Sequence, residues 1–183
     1  MTKIYFIRHG KINYTEDDYS RELSEEGIED VKKIKDVLKD HEIHKVYSSP
    51  YIRAINTIKE LALIRELNIS TIDDLRERKV CNEFIEDFKG FSMKQWEDFE
   101  YSLEGGESLR QVQERGIKAL YKIIDENKGK SIVIGTHGTF LGMILNYFDK
   151  KYDFEFWKAI KMPYIFLLTF DEKELISVEN IYA

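Results

Sequence analysis

The sequence predicts an α/β fold, a three-layer αβα arrangement in which helices cover both faces of a mainly parallel central sheet. Two short apolar segments, residues 4–7 and 132–134, have the branched and aromatic composition of strands buried on both faces. A histidine and a glycine follow each of them, at positions 9–10 and 137–138. Segments with helical periodicity alternate with the apolar ones, and this alternation favours a parallel sheet.

The elements of the first half follow from local patterns. Residues 11–22 are polar and aperiodic, so we expect a loop there. Ser24 is expected to cap a helix, because two acids follow it and apolar residues then recur at helical spacing. A second strand is predicted at 45–49, Pro50 suits the first position of the next helix, and a third strand is predicted at 69–75.

In the second half, residues 82–106 lose this regularity, since aromatic residues are scattered there among acids. We interpret them as a lid-like insertion with two short helical pieces, packed over one end of the sheet. A chain of this length is expected to form a single domain, 1–183. The remaining predicted elements are a helix from 109 to about 127, a strand at 132–136, a helix at 139–148, a short helix within 152–161, and a hairpin of strands at 164–170 and 175–182.

Charge and composition argue against several classes of function. A net charge of −6 disfavours nucleic-acid binding, which usually requires a basic patch. No apolar run approaches the ~20 residues of a membrane span, and the first strand begins too early to leave a signal peptide. The single cysteine, Cys81, is interpreted as a structural thiol. We therefore predict a cytoplasmic protein without nucleic-acid or membrane partners.

Four residues are expected to meet where the parallel strands end. Arg8 and His9 follow the first strand, His137 follows a later one, and Arg53 lies one turn into the helix after the second strand. Ligands bind at this edge of open α/β sheets. Two arginines at one place would repel each other unless a polyanion lies between them, and a phosphate monoester fits their planar donors. The helix predicted at 139–148 begins next to His137 and Gly138, so its free N–H groups would point to the same place.

The sequence contains no signature of a nucleotide or metal site. It lacks a glycine-rich phosphate loop of the Walker type, and no carboxylate cluster stands at metal-ligand spacing beside the histidines. His41 and His44 form an H-x2-H pair, which we expect to be exposed at a helix end rather than to bind zinc. We therefore predict no metal and no cofactor.

Without those groups, a histidine between two arginines suggests covalent catalysis. A neutral imidazole attacks phosphorus and carries the phosphoryl group, while its other ring nitrogen is held by a hydrogen bond. The second histidine and the arginines would stabilise charge on the phosphoryl oxygens. A carboxylic acid would protonate the leaving alkoxide and then deprotonate water.

These motifs resemble those of the histidine phosphatase superfamily, which is also called phosphoglycerate mutase-like. The resemblance covers most of the chain in the same order. It rests on Arg8-His9-Gly10, on Arg53 after Ser48-Ser49-Pro50, and on Thr136-His137-Gly138. The segment Leu23-Ser24-Glu25-Glu26-Gly27 is similar to the family's Leu-Thr-x-x-Gly helix start, and Gly105-Gly106-Glu107-Ser108 resembles its Gly-Glu-Ser turn.

The resemblance implies a role for each matching residue. His9 would be the phosphorylated nucleophile, and Arg8, Arg53 and His137 would form the phosphate pocket. Glu77, in Leu75-Arg76-Glu77-Arg78, matches the family's Leu-x-Glu acid and would donate the proton. Glu83 is the alternative acid, and an ion pair with neighbouring arginines is the alternative role of Glu77.

One departure from the family pattern concerns a further phosphate ligand. The family often shows Glu-Thr and then Trp-Asn after Arg-His-Gly, with the asparagine on the phosphate. Here the run is Lys11-Ile12-Asn13-Tyr14-Thr15. Asn13 or Thr15 would therefore take that place.

The function predicted from these residues is a metal-independent phosphatase that hydrolyses small phosphomonoesters through phosphohistidine. Mutase-type transfer is the alternative within the same chemistry, because it differs only in the acceptor of the phosphoryl group. A non-catalytic protein that binds phosphorylated ligands is a further alternative. The sequence leaves the substrate and the oligomeric state open.

Overall fold

Six strands form one sheet in the computed structural model, which describes residues 1–182. Their order across the sheet is β3-β2-β4-β1-β5-β6. β1 pairs in parallel with β4, which pairs in parallel with β2, and β2 pairs in parallel with β3. β5 runs antiparallel to β1 and forms a hairpin with β6. The strands are β1 (Thr2–Arg8), β2 (Lys45–Ser48), β3 (Ile69–Thr71), β4 (Ser131–Thr136), β5 (Tyr164–Asp171) and β6 (Glu174–Asn180).

Helices cover both faces of this sheet. Ser24 caps the first of them, since its hydroxyl accepts from the Gly27 N–H at 3.1 Å. Ser108 and Gln111 form a reciprocal capping box at the start of the longest helix. Within residues 1–182, no helix is long and apolar enough to cross a membrane. The helices are α1 (Glu25–Val37), α2 (Ile52–Ile64), α3 (Phe88–Glu97), α4 (Leu109–Glu126), α5 (Gly138–Phe148) and α6 (Phe154–Ala159).

The alternation of side chains along β1 divides the core into two layers. Ile4 and Phe6 belong to the cluster formed with α4 and α5. Tyr5 and Ile7 belong to the cluster on the opposite face, formed with α1 and α2. All four side chains are almost completely buried, as expected for a strand at the centre of a sheet with helices on both faces. The predicted α/β fold with a mainly parallel sheet is confirmed.

Three local predictions are wrong. α2 begins at Ile52, so Pro50 precedes the helix instead of standing at its first position. The third strand ends at Thr71 instead of continuing to Leu75, and Asp73–Leu75 forms a 3-10 turn. Two aspartates disfavour an extended strand there, and the turn directs Leu75 into the core, where it is completely buried. The segment 82–106 contains one helix, α3, where two helical pieces were expected.

Candidate active site

The parallel pairing of β1 and β4 brings the two histidines together. Arg8 lies opposite Thr136 in the ladder, so His9 and His137 leave the sheet side by side. Their ring centroids are 5.3 Å apart. Arg53 reaches the same place from the first turn of α2, which follows β2. The structure therefore brings together four of the predicted site residues.

The His9 ring is buried, and one of its nitrogens is held by the backbone. Nδ1 donates to the carbonyl of Gly10 at 2.7 Å. Because a carbonyl only accepts, the proton of a neutral ring resides on Nδ1, and Nε2 carries a lone pair. Gly10 is fixed in turn, since its N–H donates to Thr57 Oγ1 at 3.0 Å. A Cβ at Gly10 would lie 2.8 Å from Val31 Cγ1, so the close approach to α1 requires glycine.

His137 is completely buried at the start of α5. Its Nε2 is 2.8 Å from the hydroxyl oxygen of Ser49. That oxygen also accepts from the Tyr51 N–H, and the Tyr51 ring lies 5.2 Å from the imidazole. The sequence analysis assigned no role to Ser49 or Tyr51, although both adjoin Pro50 in a motif that it used.

The electrostatic environment keeps both histidines neutral. Burial and the positive charges of Arg53 and Arg8 lower the pKa of His9 to about 3. Burial has the largest effect on His137 as well, and together with the nearby Arg53, His9 and Arg8 it holds the pKa of His137 well below its usual range. A buried neutral imidazole surrounded by positive charge is suited to nucleophilic attack on an anion.

The Arg8 side chain packs directly on Gly138. A Cβ at Gly138 would lie 2.6 Å from Arg8 Cζ, so the guanidinium occupies space that only a glycine leaves free. Arg8 Nη1 donates to the carbonyl of Ile160. Burial lowers the pKa of Arg8, and the nearby charge of Glu77 opposes this effect.

Arg53 is buried and is held by a residue of the loop at 11–22. Its Nη1 donates to the Asp18 carbonyl at 2.6 Å and lies 3.1 Å from Asp18 Oδ1. The guanidinium also lies over the Tyr51 ring, 4.9 Å from its centroid. The sequence analysis missed Asp18, because a charged residue in an aperiodic loop gives no signal of its partner.

The Glu77 carboxylate binds the N-terminus of α5. Oε2 accepts from the Thr139 N–H at 3.0 Å, and Oε1 accepts from the Phe140 N–H at 2.9 Å and the Arg78 N–H at 2.8 Å. These contacts place the Glu77 carboxylate at the N-terminus of α5, the helix that directly follows His137. The free N–H groups expected at this helix end are thus partly taken by the predicted acid rather than left for the phosphate.

The other three candidate residues lie on the surface. Asn13, Thr15 and Glu83 are exposed. The Asn13 N–H donates to the Glu22 carbonyl, and the Thr15 hydroxyl lies 3.5 Å from the Asp17 carbonyl. Within residues 1–182, none of the three makes a hydrogen bond to an arginine or histidine of the site.

The H-x2-H pair is not exposed as expected. His41 Nδ1 lies 3.0 Å from the Tyr5 hydroxyl, and His44 Nδ1 accepts from the Ser131 N–H at 3.0 Å. Both rings are partly buried. In the part of the chain that the structure describes, no three His, Cys, Asp or Glu side chains cluster closely enough to hold a metal ion.

Three buried nitrogens of the site have no hydrogen-bond partner among residues 1–182: Arg8 Nε, Arg53 Nε and His137 Nδ1. A buried unpaired donor costs about 1–3 kcal/mol, so these atoms favour a ligand rich in acceptors. The two guanidinium groups make that ligand an anion. The arrangement can bind a phosphoryl group beside the lone pair of His9.

A sheet edge with two neutral histidines, two arginines and an adjacent carboxylate defines a site for phosphoryl transfer. The family model of the histidine phosphatase superfamily (branch 1) matches residues 4–175, and the chain belongs to this family. The predictions of the family and of a histidine phosphatase are confirmed.

Proteins similar to this chain include a phosphoglycerate mutase-like protein and two phosphoserine phosphatases. Phosphoglycerate mutase-like protein 4 of Arabidopsis thaliana is 31% identical over 166 residues, which cover 81% of this chain and 70% of that protein. Metal-independent phosphoserine phosphatase of the same plant is 26% identical over 162 residues, covering 79% and 67%. The structure of a phosphoserine phosphatase from Entamoeba histolytica in complex with 3-phosphoglyceric acid matches with a TM-score of 0.79 at 20% identity, covering 96% and 94%.

Proposed function

We propose that this histidine phosphatase transfers the phosphoryl group of a small phosphomonoester to His9 and then to water. The observation that carries this proposal is the set of three unpaired buried nitrogens beside the His9 ring. Arg8, Arg53 and His137 would bind the phosphoryl oxygens through those atoms. If the Ser49 hydroxyl donates to His137 Nε2, the ring proton resides on Nδ1 and points to the phosphoryl group.

In the first step, the lone pair of His9 Nε2 forms a bond to phosphorus and the ester P–O bond breaks. Glu77 takes up a proton when the anionic substrate binds and gives it to the departing oxygen, so the products are phosphohistidine, an alcohol and the Glu77 carboxylate. The hydrogen bond from Nδ1 to the Gly10 carbonyl supports this role, because it directs Nε2 to the substrate and stabilises the ring as it becomes positive.

In the second step, the Glu77 carboxylate accepts a proton from water. The water oxygen forms a bond to phosphorus while the N–P bond breaks, which releases phosphate and restores neutral His9 and protonated Glu77. The two arginines stabilise the charge of the phosphoryl oxygens in both steps. The neutral state of His9 supports the first step, since a protonated ring could not attack.

The segment 82–106 is proposed to be the wall of the site that contacts the leaving group, within a single domain, 1–183. Arg78, the neighbour of Glu77, supports this placement. Its Nη1 donates to Gln95 Oε1 of α3 at 3.0 Å, and its guanidinium lies 5.4 Å from the centroid of the Phe91 ring. A cytoplasmic location belongs to the same proposal.

Mutase-type transfer is the second candidate, favoured by the similarity to phosphoglycerate mutase-like protein 4. The same phosphohistidine would then pass its phosphoryl group to a hydroxyl of the substrate instead of water. The two activities differ in their products, because only hydrolysis releases inorganic phosphate.

The test is phosphate release from a panel of phosphomonoesters in EDTA. We expect release by the wild type, loss of release in His9→Ala, and normal release in the matched control His41→Ala, whose ring lies at the Tyr5 hydroxyl outside the site. Positional isomers of phosphoglycerate formed without phosphate would favour the mutase. Undiminished release by His9→Ala would contradict the proposal.

A further inference from the structure

Glu77 lies between β3 and α3, outside the helices and strands. Its carboxyl group must nevertheless be held accurately for proton transfer. The segment 73–79 leaves the sheet after β3, and only Leu75 and Arg78 are buried within it. Two residues outside the segment, Glu107 before α4 and Arg115 within α4, hold its backbone. We refer to them as the Glu107–Arg115 pair.

Arg115 donates to three carbonyls of this backbone. Its Nη1 lies 2.8 Å from the Asp74 carbonyl and 2.9 Å from the Arg76 carbonyl. Its Nη2 lies 3.3 Å from the carbonyl of Glu77 itself. A guanidinium offers five N–H donors in a rigid plane, so one side chain can fix several carbonyls at once.

Glu107 holds the guanidinium and the other end of the segment. Arg115 Nε lies 2.9 Å from Glu107 Oε2, and Nη2 lies 3.0 Å from Oε1, which makes a bidentate pair. Glu107 Oε1 also accepts from the Lys79 N–H at 3.0 Å, and the Glu107 N–H donates to the Lys79 carbonyl at 2.8 Å. The pair therefore contacts the backbone on both sides of Glu77.

The Glu107–Arg115 pair is shielded from solvent, and the start of α4 beside it is fixed. The side chains of Arg115 and Glu107 are 10% and 14% exposed. Burial acts to raise the pKa of Glu107, but hydrogen bonds from Arg115 and the Lys79 N–H outweigh it and leave this pKa below its ordinary value. Glu107 is thus ionised where the enzyme is expected to work. The capping box of α4 fixes the adjacent helix start.

Arg115 also contacts the helix that holds the Glu77 carboxylate. Its guanidinium lies 5.8 Å from the centroid of the Phe140 ring, and the Phe140 N–H donates to Glu77 Oε1. One side chain thus links the backbone of Glu77 with the element that binds its carboxylate.

We propose that Arg115, held by Glu107, is a positioning residue that fixes the Glu77 carboxyl for proton transfer to the leaving group. This inference rests on the proposed role of Glu77. Loss of the pair shifts Glu77 but leaves His9, Arg8 and Arg53 in place. Only substrates whose leaving group requires a proton are then affected.

The test compares kcat/KM for an alkyl phosphate and for 4-nitrophenyl phosphate in Arg115→Met. This quantity reports the steps up to cleavage of the ester bond, and nitrophenolate leaves without protonation. We expect a loss of about 100-fold for the alkyl ester, the effect of a small misplacement of a reacting group. For the aryl ester we expect a loss of less than about threefold.

Arg110→Met is the matched control, because Arg110 lies on the same helix and pairs with the exposed Glu100 instead. Its kcat/KM for both esters should stay near that of the wild type. Circular dichroism establishes whether Arg115→Met is folded. If it is not, Arg115→Lys is used, since its ammonium keeps the charge but cannot reach all the acceptors.

Glu77→Gln separates the two hypotheses. If this variant loses alkyl and aryl activity equally, Glu77 is not the acid and the proposed mechanism fails. If Glu77→Gln discriminates between the esters and a folded Arg115 variant does not, the positioning role alone is overturned. In the double variant, the loss should equal that of Glu77→Gln, because both changes remove the same proton transfer.

Discussion

At the scale of the residue, the hydrogen bond between His9 Nδ1 and the Gly10 carbonyl decides which nitrogen can react. The carbonyl lies on the next residue along the chain, so the tautomer is set by local geometry as soon as the strand ends. The neutral charge state is not local, because it depends on burial and on Arg53 and Arg8. The tautomer of His9 is therefore set by its neighbour in the sequence, whereas its charge state is set by residues from distant segments.

The pKa of His9 has a consequence for stability. Between pH 6.5, the ordinary value, and about 3, the unfolded chain binds a proton at this ring that the folded chain does not. The free energy of unfolding should therefore fall as the pH is lowered through this window, by up to ~1.4 kcal/mol per pH unit for this residue. Urea unfolding at several pH values measures this slope, and His9→Asn should flatten it. Equal slopes in both proteins would show that His9 is protonated when folded.

At the scale of the element, the N-terminus of α5 meets β1 at a contact that excludes a side chain. Gly138 stands at the first position of the helix, and the Arg8 guanidinium fills the space where its Cβ would be. The same helix end binds Glu77 through its second and third residues. One helix start thus places the arginine proposed to bind phosphate and the proposed acid.

Gly138→Ala tests this contact. Alanine is the better helix former by about 1 kcal/mol, so we expect the variant to remain folded. The new methyl group would displace the Arg8 guanidinium, and weaker phosphate binding should raise KM by about tenfold. Steady-state kinetics together with a thermal melt measure both effects. An unchanged KM would mean that Arg8 binds the substrate equally well after moving.

At the scale of the whole molecule, the site depends on a sheet that is covered on both faces. β1 is central, and its alternate side chains anchor the α1–α2 layer and the α4–α5 layer. Its end carries Arg8 and His9, so the rigid core limits the movement of the proposed nucleophile. Close packing leaves the strand little freedom to shift.

Phe6→Ala measures how strongly this strand anchors the fold. Phe6 is completely buried between β4 and β5 neighbours, and removal of its ring should reduce the free energy of unfolding by about 3–5 kcal/mol. Phe84→Ala is the matched control, because the Phe84 side chain is 90% exposed. Removal of this ring should reduce the free energy of unfolding by less than about 0.5 kcal/mol. Denaturant unfolding of both variants gives the comparison. Similar losses in the two would contradict the assignment of the core.

Local sequence patterns predict the layers of the fold and the residues at the strand ends. Hydrophobic periodicity is local, so it identified β1, β4 and the long helices, and the positions of Arg8, His9 and His137 followed from where the strands stop. Glu77 was indicated only by its likeness to a family motif. The turn at 73–75 was missed because the burial of Leu75 overrides the strand pattern.

Contacts between distant segments hold these residues in place, and sequence patterns do not identify them. Asp18 binds Arg53 across 35 positions of sequence, and Arg115 binds the Glu77 segment across about 40. In the sequence, Asp18 is one acid in a polar loop and Arg115 is one charge on an amphipathic helix. Hydrogen bonds between distant segments depend on how the elements pack, and packing has no period along the chain.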